Sequence, residues 1–552
     1  MKAILTLLLA AISLNGFSQA ANASKGKPNI ILILADDLGY SDIGAYGSEI
    51  KTPNLDRLAN GGIRLKEFYN NSICAPTRAS LLTGQYQHKA GVGYFANDLG
   101  LPAYQGYLNQ ESLTLAEVLK QQGYTTLMSG KWHVNGDNVS NPWQRGFDHV
   151  LMSENGSYFD QGDYNGGQKR PYTEDGKPYL LAPNKFYQTD VITEHAVKYI
   201  DVERKKDKPF FLYLAYTAPH WPLHALPEDI ARYKGKYDIG WDELRKQRFA
   251  RQKQLGIVDA NARLSTKDAD IYDWSKLSYD QKTQWATKME IFAAMVDRMD
   301  QGIGKVLAEL KKIGQDDNTL IVFISDNGAP AEDLVKWHNG ATRNSGPLGT
   351  IGSYESQSKN WSYASNTPFL AFKDYTYEGG ISSPFIAWYP AKIKAGTISK
   401  GTGHIIDIAP TFYELAGATY PKKYKNVTPN ALAGKSLLPV LFGQQTTVTR
   451  NEPLFWERAG NRAVHDGKWK LVSTYPSYTW ELYDLEKDRG ETENVARLNH
   501  DVVSRLSVAY FEWAKKTGVV EFSTIENREP QSMKDFRKSK LQDVVTTGGG
   551  PQ

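Results

Sequence analysis

The chain has one cysteine in 552 residues, Cys74. A single thiol can close no disulfide within its own chain, so a disulfide-stapled scaffold is excluded. Charge imbalance is also scarce: 65 Lys and Arg against 61 Asp and Glu leave a formal net charge of +4. For this length that is too little to mark a nucleic-acid partner. Past the first residues there is no run of about 20 apolar side chains, the length a membrane span requires. What remains is a chain of ordinary globular composition, long enough for one large α/β domain and a smaller one. Thirteen Trp and 32 Tyr would suit sugar or aryl ligands, although packing is the commoner use of such residues.

The opening segment "MKAILTLLLAAISLNGFSQA" (1–20) has a Lys after the start, an apolar run and a small-residue end. This is the pattern of a secretory signal peptide, with candidate cleavage after Ala20 or Ala23. No Cys lies near that point, so no lipid anchor is expected there. The mature protein is expected to be exported, periplasmic or secreted, and without a membrane anchor. That compartment permits disulfides and the chain forms none, so the lone thiol needs another explanation.

Five apolar runs end in polar or charged residues: "NIILILADD" (29–37), "YTTLMSGKWH" (124–133), "PFFLYLAYTAPH" (209–220), "TLIVFISDNG" (319–328) and "SSPFIAWYP" (382–390). The first four lack polar alternation and read as fully buried strands. Helical patterns lie between them at 112–123, 187–204 and 288–314. Strands alternating with helices predict a doubly wound, mainly parallel α/β sheet, whose ligands bind outside the carboxyl ends of the strands. Residues 328–366, rich in Gly, Ser and Asn, read as one long loop. From about residue 445 short antiparallel strands and a helix at 501–518 predict a smaller α+β domain. The expected division is signal peptide 1–20, main α/β domain 21–444 and C-terminal α+β subdomain 445–552, with the tail "TTGGGPQ" disordered.

The strand ends carry the chemistry. Asp36 and Asp37 follow the first run; Asp326 and Asn327 follow the fourth. Three carboxylates at one sheet edge repel one another unless a cation neutralises them, and all-oxygen ligands suit Ca²⁺ or Mg²⁺. A lone Asp pair of this kind would more often cap a helix or a turn. In "CAPTRASLLTG" (74–84), Pro76 suits a first helical turn with apolar positions behind it. Residue 74 then sits at a helix N-terminus, which favours an anion, with Arg78 one turn away on the same face. By itself, a single Cys in a helix is more often inert core.

C-x-P-x-R followed by Ser80 and "LLTG" resembles the signature of the formylglycine-dependent (type I) sulfatases. The similarity runs from "PNIILILADDLGYSDIGAYG" to "NRAVHDGKWKLV" and is nearest to bacterial arylsulfatases, through "YTAPHWPLHA" and "SNTPFLAFKDYTYEGGISSP". It implies an alkaline-phosphatase-like fold and a sulfuric ester hydrolase acting on aryl or carbohydrate sulfates. It also implies that Cys74 is oxidised to Cα-formylglycine by a formylglycine-generating or radical-type maturation enzyme before export. The hydrated aldehyde would attack sulfur, with Asp326 assisting its deprotonation. One Ca²⁺, favoured over Mg²⁺, would be held by Asp36, Asp37, residue 74, Asp326 and Asn327. Lys131 and Lys373 would contact the sulfate, and Arg78 would share the developing charge. His133 would hydrogen-bond the formylglycine hydroxyl, and His220 would protonate the leaving oxygen, with His224 the alternative acid. On an extended backbone Lys131 and His133, two apart, would point the same way. One departure is Ser382-Ser383, where the family often has Arg-Val. Two rivals remain open at this point: a phosphate or phosphonate monoester hydrolase on the same scaffold, and a catalytically silent sulfated-glycan binder.

Overall fold

A computed structural model of the chain describes residues 26–136, 139–153, 156–159, 172–180, 186–203, 208–334, 344–531 and 533–534. The expected signal peptide and the "TTGGGPQ" tail lie outside the described residues. Ten strands form the main sheet: β1 (Asn29–Ala35), β2 (Ile63–Tyr69), β3 (Thr125–Lys131), β4 (His149–Ser153), β5 (Tyr172–Glu174), β6 (Lys177–Tyr179), β7 (Phe210–Ala215), β8 (Thr319–Ser325), β9 (Phe385–Trp388) and β10 (Thr397–His404). Their spatial order is β10-β2-β9-β8-β1-β7-β3-β4-β5-β6. The block β8-β1-β7-β3-β4 is parallel throughout, while β9 runs antiparallel between β2 and β8.

The unbroken apolar character of β1 has a direct cause. Ile30, Leu32 and Leu34 enter one core, and Ile31, Ile33 and Ala35 enter a second core on the opposite face. The first core packs against the helices Cys74–Thr83, Leu115–Gln121 and Ile408–Ala416. The second packs against Pro53–Gly61, Gln188–Glu203 and Tyr279–Lys312. A strand covered on both faces has no solvent side on which to place polar residues. C-terminal to this sheet, β11 (Leu454–Arg458), β12 (Asn461–Asp466), β13 (Trp469–Ser473) and β14 (Trp480–Asp484) form an antiparallel sheet, with the helix His500–Thr517 against it.

Three expectations need correction. The stretch 328–366 is not all loop, because Ser358–Ser365 is a helix. The helix expected from 288 begins at Tyr279, where Ser278 and Gln281 form a capping box that outweighs the weaker apolar period before residue 288. Strands β2 and β10 were not anticipated, because "IRLKEFY" and "TISKGTGH" carry charged or glycine residues and lack the continuous apolar run of a central strand.

Candidate active site

Each of the four central parallel strands ends in a group that faces the same region. Strand β1 delivers Asp36 and Asp37, with Asp37 turned sharply at φ 66°. Strand β8 delivers Asp326 and Asn327, β3 ends on Lys131, and the segment after β7 carries His220. The turn at 373 brings in Lys373. All seven are buried. The helix Cys74–Thr83 begins at residue 74, with Pro76 in its first turn and Arg78 one turn on.

The contacts link these groups into one network. Lys131 Nζ lies 2.5 Å from Asp36 Oδ2, and Lys373 Nζ lies 2.8 Å from Asp37 Oδ2. Asn327 Nδ2 donates to Asp37 Oδ1 at 2.5 Å, and the Asp37 amide donates to Asp326 Oδ1 at 3.2 Å. His220 Nε2 stands 3.4 Å from Asp37 Oδ2, and its Nδ1 donates to the Trp221 carbonyl at 2.6 Å. That bond assigns the ring proton to Nδ1 and leaves Nε2 as the atom directed at the carboxylates. Arg78 donates through Nε and Nη2 to Asp326 Oδ2 at 3.1 and 2.8 Å, and through Nη1 to the Lys131 carbonyl at 3.0 Å. Its guanidinium therefore braces β8 against β3.

Burial and charge set the protonation of the site. Burial pushes the Asp36 carboxyl up, but Lys131, His220 and Arg78 outweigh it and hold Asp36 well below the usual range. Asp326 is pushed up to about 7, by burial first and the Asp36 charge second. Burial also lowers His220 to about 3 and, helped by Lys131 and Arg78, holds His133 well below its ordinary value. The Cys74 thiol is raised to about 11 by burial, with Lys131 and Lys373 only partly opposing. A thiol in that state is almost entirely protonated at neutral pH and is a poor nucleophile.

A divalent cation fits these residues. Asp36 Oδ1 and Asn327 Oδ1 are buried without a hydrogen-bond partner. Such atoms cost about 1–3 kcal/mol each unless something satisfies them. Both are hard oxygen donors, with Asp37 and Asp326 beside them, which is the chemistry of a Ca²⁺ or Mg²⁺ site.

Not every anticipated position behaves as the spacing suggested. His133 lies beyond the end of β3 at φ 64°, so the extended-backbone argument does not hold for it; it nevertheless remains within the field of Lys131, Arg78 and Asp36. His224 is held on both nitrogens, Nε2 donating to the Ser353 carbonyl at 2.7 Å and Nδ1 accepting from the Tyr158 amide at 3.3 Å. It has no nitrogen left for a leaving oxygen. Ser383 Oγ accepts from the Ser325 amide at 2.8 Å, so this departure from the family pattern supports the strand end before Asp326. Sequence reasoning missed Glu332, buried with Oε1 3.3 Å from Lys373 Nζ. Its only sequence signal was its place in "SDNGAPAE", six residues after Asp326.

The chain is similar to known proteins over most of its length. The family model described as Sulfatase matches residues 28–418, and that described as N-sulphoglucosamine sulphohydrolase, C-terminal, matches residues 370–512. An uncharacterized sulfatase of Schizosaccharomyces pombe is 35% identical, covering 90% of this chain and 95% of its own. An arylsulfatase of Klebsiella aerogenes is 36% identical, covering 79% of this chain and 94% of its own. Among solved structures, Ps i-CgsB in complex with k-i-k-neocarrahexaose aligns with a TM-score of 0.68 at 28% identity, over 94% of this chain and 99% of that one. Likeness of this extent, in sequence and in fold, means that the chain belongs to the sulfatase family and is a type I sulfatase.

Proposed function

We propose that this sulfatase hydrolyses carbohydrate sulfate esters, with residue 74 acting as Cα-formylglycine beside a divalent cation, Ca²⁺ by preference. The observation that carries the reading is the setting of Cys74: a buried thiol kept protonated, at the start of a helix, among two lysines, an arginine and two aspartates. A thiol that stays protonated at neutral pH is a poor nucleophile, whereas an oxidised residue 74 would supply a hydrated aldehyde as nucleophile, with a second hydroxyl to release the sulfate. Asp36, Asp37, Asp326 and Asn327 would hold the cation, whose chemistry is to polarise the sulfate oxygens and favour the ionised nucleophile.

The chain's own residues do the rest. Lys131 pairs with Asp36, and Lys373 pairs with both Asp37 and Glu332. Added positive charge among those carboxylates would free the ammonium groups to bind the sulfate and the charge that spreads onto its oxygens. Arg78, committed to Asp326 and the Lys131 carbonyl, keeps two of these groups in place. His220 Nε2 stands 3.4 Å from Asp37 Oδ2. Beside a bound anion it would take up a proton and pass it to the leaving oxygen, while Nδ1 stays anchored on Trp221. A carbohydrate leaving group is supported by the oligosaccharide complex of Ps i-CgsB and by a curated N-acetylglucosamine-6-O-sulfatase of Bacteroides thetaiotaomicron, 27% identical over 89% of this chain.

Peptide mass spectrometry of the active protein tests this reading. Residue 74 should be lighter than Cys by the difference between a thiol and an aldehyde, and Cys74→Ala should fold yet release no sulfate. A screen of natural sulfated glycans beside an aryl sulfate should show desulfation of a glycan. Unmodified Cys74 in fully active protein would overturn the formylglycine assignment.

A further inference from the structure

Lys373 is held by a turn that the C-terminal sheet grips. The next residue, Asp374, has φ 76° and donates its amide to the Ser72 carbonyl at 2.8 Å, two residues before Cys74. Asp374 Oδ1 accepts from Arg458 Nε at 2.8 Å, and its carbonyl accepts from Asn461 Nδ2 at 3.2 Å. Arg458 is the last residue of β11 and Asn461 the first of β12, so the tip of one hairpin holds both ends of Asp374. Arg458 is itself fixed: Nη1 donates to the Tyr94 carbonyl at 2.9 Å, and the guanidinium lies 4.6 Å from the centre of the Tyr94 ring. The Arg458 side chain is 4% exposed, so the pair is sheltered from solvent screening. Further along the turn, Thr376 Oγ1 donates to the Arg462 carbonyl at 3.2 Å.

We infer that Arg458 is a positioning residue for sulfate binding, acting through Asp374 on Lys373. The inference rests on the proposed contact of Lys373 with the sulfate. A lysine has a flexible four-carbon stem, so the place of its ammonium depends on where its backbone is anchored. The Lys373 amide is anchored on the Ala329 carbonyl at 3.1 Å, and the Arg458–Asp374 pair helps to hold the residue that follows it. A positive φ at Asp374 is a costly conformation for a residue with a side chain, and it persists where the surroundings over-determine it. Arg458 and Asn461 supply that determination. The C-terminal sheet is thereby part of the machinery that sets sulfate affinity, although it contributes no group to the sulfate itself.

A double-mutant cycle between Arg458→Ala and Lys373→Ala tests this. The readouts are kcat/KM for 4-nitrophenyl sulfate and the inhibition constant for inorganic sulfate, with rates normalised to converted residue 74 by mass spectrometry. Arg458→Ala should lower kcat/KM by up to about 10²-fold, the cost of a displacement of about 1 Å. It should weaken inhibition by sulfate in parallel. In the Lys373→Ala background it should cost no further loss beyond a factor of about 2. A full additional loss in that background would overturn the inference and leave the sulfate-binding role of Lys373 standing. An unchanged kcat/KM in Lys373→Ala alone would overturn both. Should Arg458→Ala not fold, Asp374→Asn carries the same cycle: Asn tolerates positive φ and keeps the amide bond to Ser72 while weakening the charged contact to Arg458.

Discussion

His220 and His224 stand four residues apart, and their partners give them different chemistry. His220 donates through Nδ1 and directs Nε2 toward Asp37, on the side where the carboxylates and lysines gather. If it protonates the leaving oxygen, its loss should matter most where the leaving group needs a proton. His220→Ala should slow sugar or alkyl sulfates by roughly 10²–10⁴-fold and activated aryl sulfates far less. Lys131→Ala and Lys373→Ala should slow both kinds alike, since the sulfate is common to them. The measurement is kcat/KM across leaving groups of different pKa, and equal losses for His220→Ala would remove it as the acid. His224, by contrast, is structural, with burial lowering it to about 4. Its folded pKa lies below the unfolded value of about 6.5, so the unfolded chain binds the extra proton between the two. The stabilising contribution is complete above the unfolded value and is lost as pH falls through about 4, a total of roughly 3 kcal/mol. His224→Gln should therefore lose less stability than the parent between pH 7 and pH 4. Parallel stability curves for the two would show that His224 does not titrate as described.

At the scale of elements, the loop after β8 and the short helix Glu378–Ile381 meet backbone to backbone. Gly328 donates its amide to the Gly380 carbonyl at 3.1 Å, and a Cβ on Gly328 would fall 1.8 Å from the Gly379 carbonyl oxygen. No side-chain rotation relieves that contact, because the obstacle is main chain. Gly328→Ala should force apart the two segments that carry Asn327 and Lys373. The cost should be roughly 3 kcal/mol, the upper end for overpacking, with activity falling along with stability. Thermal melting and kcat/KM of the same preparation check it, and an alanine variant with the parent's melting temperature would contradict the close approach. The helix Cys74–Thr83 shows why an element-level reading from the sequence succeeded: Pro76 sits in its first turn and Gly84 closes it at φ 67°. Strand β10 shows why another failed. It is an edge strand, where pairing is decided by the neighbour β2 and not by its own apolar content.

Across the whole molecule, the site draws on segments from residue 36 to residue 373, and two kinds of charge hold it together. The C-terminal sheet is tied to the turn after Lys373 by a buried cluster, with Lys470 Nζ 2.9 Å from Glu378 Oε1 and 2.8 Å from Glu491 Oε1. Arg489 Nε adds a bond to Glu378 Oε2 at 2.9 Å. The other joint is the carboxylate group at the ends of β1 and β8, where a cation would link two neighbouring strands. Removing it with a chelator should lower the melting temperature by a few degrees, and Ca²⁺ should restore both melting and activity. At a hundredfold excess over Kd, the stabilisation is about 2.7 kcal/mol. Purified active enzyme holding zinc as its only metal would contradict an all-oxygen Ca²⁺ site.

The central strands, the helix at 74 and the Asp pairs at the strand ends were legible in the sequence because local rules specify them. A strand buried on both faces must be apolar throughout, and proline and glycine mark the helix ends whatever the chain does elsewhere. Charge repulsion likewise made Asp36, Asp37 and Asp326 conspicuous once a mainly parallel sheet was expected to bring its strand ends to one edge. The tertiary structure alone decided how the remaining groups are used. That His224 is pinned by Ser353, that Arg78 braces Asp326 and that Glu332 flanks Lys373 all depend on partners 41 to 248 residues away in the chain. A histidine or arginine carries the same letter whether its nitrogens are free or occupied. Its chemistry follows from which donors and acceptors the packed chain sets beside it, and long-range packing, not local sequence, determines that.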